Sequence, residues 1–386
     1  MRKGVLRVEK AMESIGIICE YNPFHNGHKA LIDKVKELYP DKKIICFMSG
    51  EFVQRGEVAT LSSYSRAKAA VLCGADAVFK LPSAFCLAPA QIYAQKAVEL
   101  IAATGLCDLI AFGSESGKRQ ALIKTSKRLY SQELEDEVSK HLKDNSYPKA
   151  KQIAYSNLFG EETYPLTPND ILAVEYIQAL ERTDMDFVLI KREEGENICS
   201  ASSIRKRIKT GEGVEEYIPT SAYEVLEKEV SGGAVRKEEN YEKQFLMSLV
   251  NVNTAYADVP KDFVCRIRNC AGQAQSLKEY YELLSVKHYT KARLHRMSLC
   301  SVLGIKQEEW EQKPPYIQLV ALRSDAGASI KKSSIAILTK CADIVKLGKE
   351  ATEYFEKEAR RELFAYSGQD KTVSLAHLYR ETPFIL

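Results

Sequence analysis

Over its first 113 residues the chain alternates short apolar runs with stretches of helical periodicity, a pattern that few architectures accommodate. Ile15-Gly16-Ile17-Ile18-Cys19 reads as a buried strand, and a turn-rich loop from Glu20 to Gly27 follows it. From His28 onward, Leu31, Val35 and Leu38 recur at the spacing of one helix face. Lys43 to Met48 is a second strand, ending at Ser49-Gly50, and a helix near 62–74 starts at a serine cap and stops at Gly74. Ala77–Leu81 is a third strand closed by Pro82. Pro89 to Thr104 is a helix ended by Gly105, and Asp108–Phe112 is a fourth strand before Gly113. Strands and helices in this order predict βαβ units, a parallel sheet and an α/β fold.

Residues 117–160 read as polar helices, 187–190 as one more strand, and Ser203 as the start of a helix. After Gly232-Gly233 the alternation stops, and 240–360 read mostly as helices, broken near Lys313-Pro314-Pro315. The expected division is therefore an α/β domain at 12–225 and a mostly helical domain at 226–386, with 386 residues ample for a core in each. The ten cysteines are scattered without a CxxC, which fits a reduced, cytoplasmic protein. No apolar run reaches the roughly 18 residues of a membrane span, so no membrane partner is expected. The first eleven residues are charged and lack the apolar stretch of a secretory signal; Met12 offers an alternative start. Net charge is only +3, but residues 261–300 carry 8 basic and 3 acidic side chains. The positive excess of the second half is concentrated there.

In open parallel sheets, ligands bind beyond the carboxyl ends of the strands, beside helix N-termini that attract anions. The loop in that position reads Glu20-Tyr21-Asn22-Pro23-Phe24-His25-Asn26-Gly27-His28. Gly27 lets a phosphate approach the backbone, and His25 and His28 can donate to charge developing on an attacked nucleotide phosphate. Two histidines three apart could instead bind a metal, but no third ligand lies at a fitting spacing, so no metal site is expected. The pattern resembles the His-x-Gly-His motif of the adenylyl-transferring superfamily, whose members close a serine- or threonine-rich turn with a basic residue over the triphosphate. Here Ser200-Ala201-Ser202-Ser203-Ile204-Arg205 stands at a matching distance, making Ser202 and Arg205 the candidate clasp. Taken alone, it is also an ordinary helix cap with a solvated arginine.

The stretch Gly16 to His28 resembles the bacterial tRNA(Met) cytidine acetate ligase family closely, and Met48-Ser49-Gly50-Glu51-Phe52-Val53-Gln54-Arg55-Gly56-Glu57 is similar to its second loop. Phe112 to Glu115, Pro168 to Leu172, Ile190-Lys191-Arg192 and His288 to Arg293 extend the likeness over most of the chain. The resemblance implies a Rossmann-like nucleotidyltransferase domain followed by a helical, tRNA-binding one. It implies that acetate attacks the α-phosphate of ATP, accompanied by Mg2+. The resulting acetyl-adenylate then acylates N4 of the wobble cytidine, position 34, of elongator tRNA(Met), with no role for DNA. ATP would be bound by Ile18, Cys19, the loop from Glu20 to His28, Gly113, Asn169 and Arg192, with His25 and His28 catalytic. Two departures stand out: the family's segment after Lys-Arg is shortened here to 193–197, and Ser202 replaces a threonine.

Other features admit two readings. Gln54-Arg55-Gly56 could bring a guanidinium to phosphates or cap a turn, and Glu20 could orient a histidine or a metal ion or stay solvated at a strand end. The run from Lys287 to Arg296 is the candidate RNA surface, with Lys287, Lys291, Arg293 and Arg296 facing phosphates and Tyr289 available to a base. A plain solvated helix face is the alternative. Two other functions compete: a metabolite adenylyltransferase without RNA, and a non-catalytic RNA-binding protein.

Overall fold

A computed structural model describes residues 14–160, 167–192, 195 and 197–386. Met12 and most of the shortened 193–197 segment lie outside the described residues. Ten strands occur among those described: β1 Ser14–Cys19, β2 Lys43–Ser49, β3 Phe52–Val53, β4 Glu57–Val58, β5 Ala77–Leu81, β6 Leu109–Ser114, β7 Asp186–Lys191, β8 Ile317–Leu322, β9 Ile337–Leu338 and β10 Phe384–Ile385. The main sheet runs β10-β8-β5-β2-β1-β6-β7, with β9 beside β8, while β3 and β4 form a small hairpin. From β5 through β7 the pairing is parallel, in the register Ile15↔Ile44, Ile45↔Ala77 and Ile110↔Phe187.

The apolar runs lack alternation because the sheet is covered on both faces. Ile18, Ile45, Phe47, Phe79, Ile110 and Phe112 enter one core, whereas Ile15, Ile17, Ile44, Cys46, Val78 and Ala111 enter the other. Chain order reverses between β1 and β6, since β2 and β5 lie to one side and β6 and β7 to the other. There the carboxyl ends of the strands diverge and open a crevice.

The second half is mostly helical, as expected, but it also contributes strands to the main sheet. Helices Glu238–Val250, Val264–Gln273, Leu277–Leu284 and Lys291–Leu303 are present, but 317–322 is strand, paired antiparallel with β5. Residues 226–386 therefore extend the first half's sheet instead of standing apart. Phe245, Ile267, Leu294 and Met297 also share a core with Phe85 and Ala97. Buried ion pairs cross the expected boundary as well: Lys80 meets Glu362 at 2.6 Å and Arg236 meets Glu51 at 2.6 Å. Removing one partner of such a pair strands a buried charge, so these contacts fix how the halves meet. Glu51, buried yet held at about 2 by Arg236, Arg66 and Lys80, remains ionised.

Candidate active site

The loop after β1 is shaped by a left-handed Tyr21 (φ 48°) and a cis Asn22-Pro23 bond, and it delivers His25 as N-cap of the helix Asn26–Leu38. His25 Nδ1 accepts from the Gly27 N–H at 3.1 Å, and His28 Nδ1 accepts from the His25 N–H at 3.3 Å. A neutral imidazole whose Nδ1 accepts carries its proton on Nε2, so both rings keep an Nε2–H donor to offer. The rings stack at 3.7 Å, and Tyr21 and Phe24 pack against His28. Burial, helped by the charge of Arg192, lowers His25 to about 4. Burial, then His25, then Arg192 push His28 well below the usual imidazole range. Both are neutral donors at neutral pH.

Arg192 follows β7 and crosses in front of this pair. A Cβ on Gly27 would stand 3.5 Å from its Nη2, and a Cβ on Gly113 would stand 3.3 Å from its Cγ. Glycine at both positions thus lets the arginine lie flat over β6 and reach the helix mouth. Its guanidinium forms no hydrogen bond or ion pair with any described residue. An unpaired guanidinium, two neutral N–H donors and a helix N-terminus converge on one point, which defines an anion site.

That point lies in a cavity of about 640 Å³, within the roughly 300–1,000 Å³ typical of small-molecule sites. Of the expected ATP-binding residues, Ile18, Cys19, Glu20, Tyr21, Asn22, His25, Gly27, His28, Gly113, Asn169, Arg192, Ser202 and Arg205 line it. Pro23, Phe24 and Asn26 do not: Phe24 is buried behind His28, and Asn26 bonds the carbonyls of Asn197 and Glu216. Their task is to hold the loop. Asn169 donates to Glu115, which Thr167 also binds, so that pair forms a preset wall.

Opposite stands the N-terminus of the helix Ala201–Thr210, capped by Ser200 and not by Ser203. Ser202 and Arg205 are brought to the cavity there, but Arg205 is engaged by the Asn22 carbonyl at 2.9 Å and by Glu57 at 3.1 Å. Glu20 neither orients a histidine nor stays solvated; it accepts the Gln54 N–H at 2.7 Å and anchors the β3–β4 hairpin. That hairpin sets Arg55, exposed and paired with no described residue, at the cavity rim. A residue the sequence reading missed is Arg66, fully buried, which binds the carbonyls of Glu20, Ser49, Gly50 and Leu61. Five donors in a rigid fork suit it to tying two strand ends together.

The basic run needs correction. Lys287 precedes the helix, which begins at Lys291, so the run is a turn followed by a helix. Lys287 and Lys291 are exposed. Arg296 is buried against Asp258 and the Gln54 carbonyl, and Arg293 pairs with Asp258 at 2.8 Å while covering Tyr289. Arg296 is thus a structural cation sealed by the hairpin, unavailable to phosphate.

A mainly parallel sheet with a His-x-Gly-His loop capping a helix at its switch point defines a nucleotidyltransferase, and residues 12–373 match the family described as HIGH Nucleotidyl Transferase. The chain is 32% identical over 386 residues to the tRNA(Met) cytidine acetate ligase of Caldanaerobacter subterraneus, covering 92% of this chain and 94% of that one. Its identity to the same enzyme of Caldicellulosiruptor saccharolyticus is 30%, over 90% and 92% of the two chains. The chain belongs to the tRNA(Met) cytidine acetate ligase family. The crystal structure of Thermotoga maritima TmcAL bound with alpha-thio ATP superposes with a TM-score of 0.87 at 27% identity, covering 97% of this chain and all of that one.

Proposed function

We infer that this enzyme activates acetate with ATP and transfers the acetyl group to N4 of the wobble cytidine of elongator tRNA(Met). The observation that carries the reading is Arg192 beside Gly27 and the two neutral histidines, a charge-stabilising site in which the guanidinium pairs with no described residue.

In the first step an acetate oxygen attacks the α-phosphorus, and the bond to pyrophosphate breaks with the electron pair leaving on pyrophosphate. The Nε2–H groups of His25 and His28 hydrogen-bond the non-bridging oxygens as charge builds on them, and Arg192 balances that charge. Gly27 keeps the backbone clear for the phosphate to approach. Arg205 would clasp the triphosphate by exchanging Glu57 for phosphate oxygens, with Ser202 beside it. In the second step N4 attacks the acetyl carbonyl, the anhydride C–O bond breaks, and AMP departs.

Magnesium would arrive chelated by ATP. Among the described residues no three His, Cys, Asp or Glu side chains gather, and Glu20 and Glu115 at the cavity are committed to Gln54 and Asn169. Lys287 and Lys291 are the proposed contacts to tRNA phosphates. A cytoplasmic activity fits the proposed substrates ATP and tRNA. The relatives' shared name favours this reading over a metabolite adenylyltransferase, and the intact histidine pair favours it over a non-catalytic RNA-binding protein. The test is ATP–pyrophosphate exchange without RNA: exchange that depends on acetate supports the first step, and exchange supported equally by unrelated carboxylates or by none removes it.

A further inference from the structure

Beside the nucleotide cavity lies a second one of about 450 Å³. Its walls come from the β3–β4 hairpin, the helix Ala201–Thr210, the stretch 235–245 and the helices Leu277–Leu284 and Lys291–Leu303. Glu57 and Arg205 line both cavities, so their ion pair at 3.1 Å stands in the shared wall. One side of the second cavity is aromatic. Tyr281 stacks on His295 with centroids 4.0 Å apart and planes 29° apart, and Tyr241 and Phe245 continue the surface. The Tyr241 hydroxyl and the His295 ring nitrogens bond to no described residue.

Each cation lining this cavity is already paired, Lys209 with Glu239, Lys237 with Asp370, Arg205 with Glu57 and Arg236 with Glu51, while the Glu238 carboxylate adds a further negative charge. A polyphosphate therefore has no free cation to meet here, in contrast to the Arg192 site. What fits is an uncharged, planar ring with polar edges, which stacks on aromatic faces and takes hydrogen bonds at its rim. The pocket is also preformed. Gly56, at φ 78°, brings the hairpin so close to the Lys291–Leu303 helix that a Cβ would stand 2.4 Å from the Arg296 nitrogen. Lys291 lies one helical turn before His295, so an RNA strand held at Lys291 arrives at the cavity mouth.

We propose that this second cavity receives the acceptor cytosine, swung out of its loop and stacked on the Tyr281–His295 face with N4 directed at Glu57. Enzymes that modify a base in RNA take it out of its stack to reach it, and the shared wall puts N4 beside the acetyl-adenylate. When Arg205 turns to the phosphates, the Glu57 carboxylate is released to accept a proton from N4. As the amide C–N bond forms, the acyl C–O bond breaks and AMP leaves with the electron pair. The inference rests on the acetate–tRNA reading given above.

Two measurements on the full-length protein test it separately from that reading. An anticodon stem-loop RNA carrying 4-thiouridine at the acceptor position is irradiated with the enzyme, and the crosslinked peptides are identified by mass spectrometry. Attachment at Tyr241, Tyr281 or His295 supports the subsite independently of acetyl transfer, because the 4-thio base has no N4 to accept the group; attachment only elsewhere, or none, overturns it. Ile208→Trp then fills the cavity from a half-buried position outside the nucleotide cavity. Acetyl transfer to tRNA should fall at least 30-fold, with acetate-dependent pyrophosphate exchange within about twofold of wild type. Transfer at the wild-type rate, together with retained exchange, refutes the subsite while leaving the acetylation reading intact. Tyr241→Ala, which empties the same wall, keeps the test open should Ile208→Trp fail to fold.

Discussion

His25 serves two purposes through two different atoms, and substitutions can separate them. Its Nδ1 caps the helix Asn26–Leu38 by accepting the Gly27 N–H, while its Nε2–H is free for substrate. Asparagine is a good N-cap, so His25→Asn should retain the cap and lose the donor. His25→Ala loses both. Removing one preorganised donor to a developing oxyanion costs about 2.7–4 kcal/mol, or about 100- to 1,000-fold in rate. Losing the cap adds about 1 kcal/mol of instability. Both variants should therefore lose exchange activity to a similar extent, and only the alanine should also melt at a lower temperature. Because the rings stack and would serve one transition state, adding His28→Ala to His25→Asn should cost much less than the product of the single losses. Exchange in His25→Asn within a few-fold of wild type would show that the Nε2–H does not face the reacting phosphate, and the assignment would fall.

Arg192→Ala removes a guanidinium that pairs with no described residue, so calorimetry should show ATP affinity reduced at least tenfold while thermal stability hardly moves; unchanged affinity counts against the anion site. In the free enzyme His25 titrates near 4 and an unfolded histidine near 6.5, so the unfolded chain binds the extra proton as pH falls between those values. Stability should then decrease on acidification, by about 2 kcal/mol from His25 alone at pH 5, and His25→Asn should lose that component in denaturation measured at pH 7 and pH 5. Changing Lys287 and Lys291 to Glu should flatten the salt dependence of tRNA binding by roughly 1.5 log–log units, at about 0.7 to 0.9 per lost phosphate contact, with pyrophosphate exchange unaffected. Superimposable salt titrations would make both lysines ordinary surface residues.

The parallel half was legible because each of its strands is a short apolar run bounded by Gly, Pro or polar turns, and because the site loop follows the first of them. The strand Ile317–Leu322 was not. A run of six apolar or nearly apolar residues looks the same as a buried helix segment, and its antiparallel pairing with Ala77–Leu81 spans more than 200 residues of sequence. Arg296 misled for a related reason. Its partner Asp258 and the hairpin carbonyl that bury it are remote in sequence, and local charge cannot distinguish a buried cation from an exposed one. Phe24 and Asn26 sit inside the most informative motif, yet they support the site from behind. Spacing locates a loop on a fold but does not tell which of its side chains face the cavity. The second cavity had no local signature, since five separate segments build it.

The most direct measurement is nucleoside mass analysis of tRNA after incubation with the protein, ATP and isotopically labelled acetate. Label should accumulate in N4-acetylcytidine of elongator tRNA(Met), with one AMP and one pyrophosphate formed per acetyl group. Pyrophosphate release without label in any nucleoside, using active protein and elongator tRNA(Met), would contradict the assignment and point to a small-molecule acceptor.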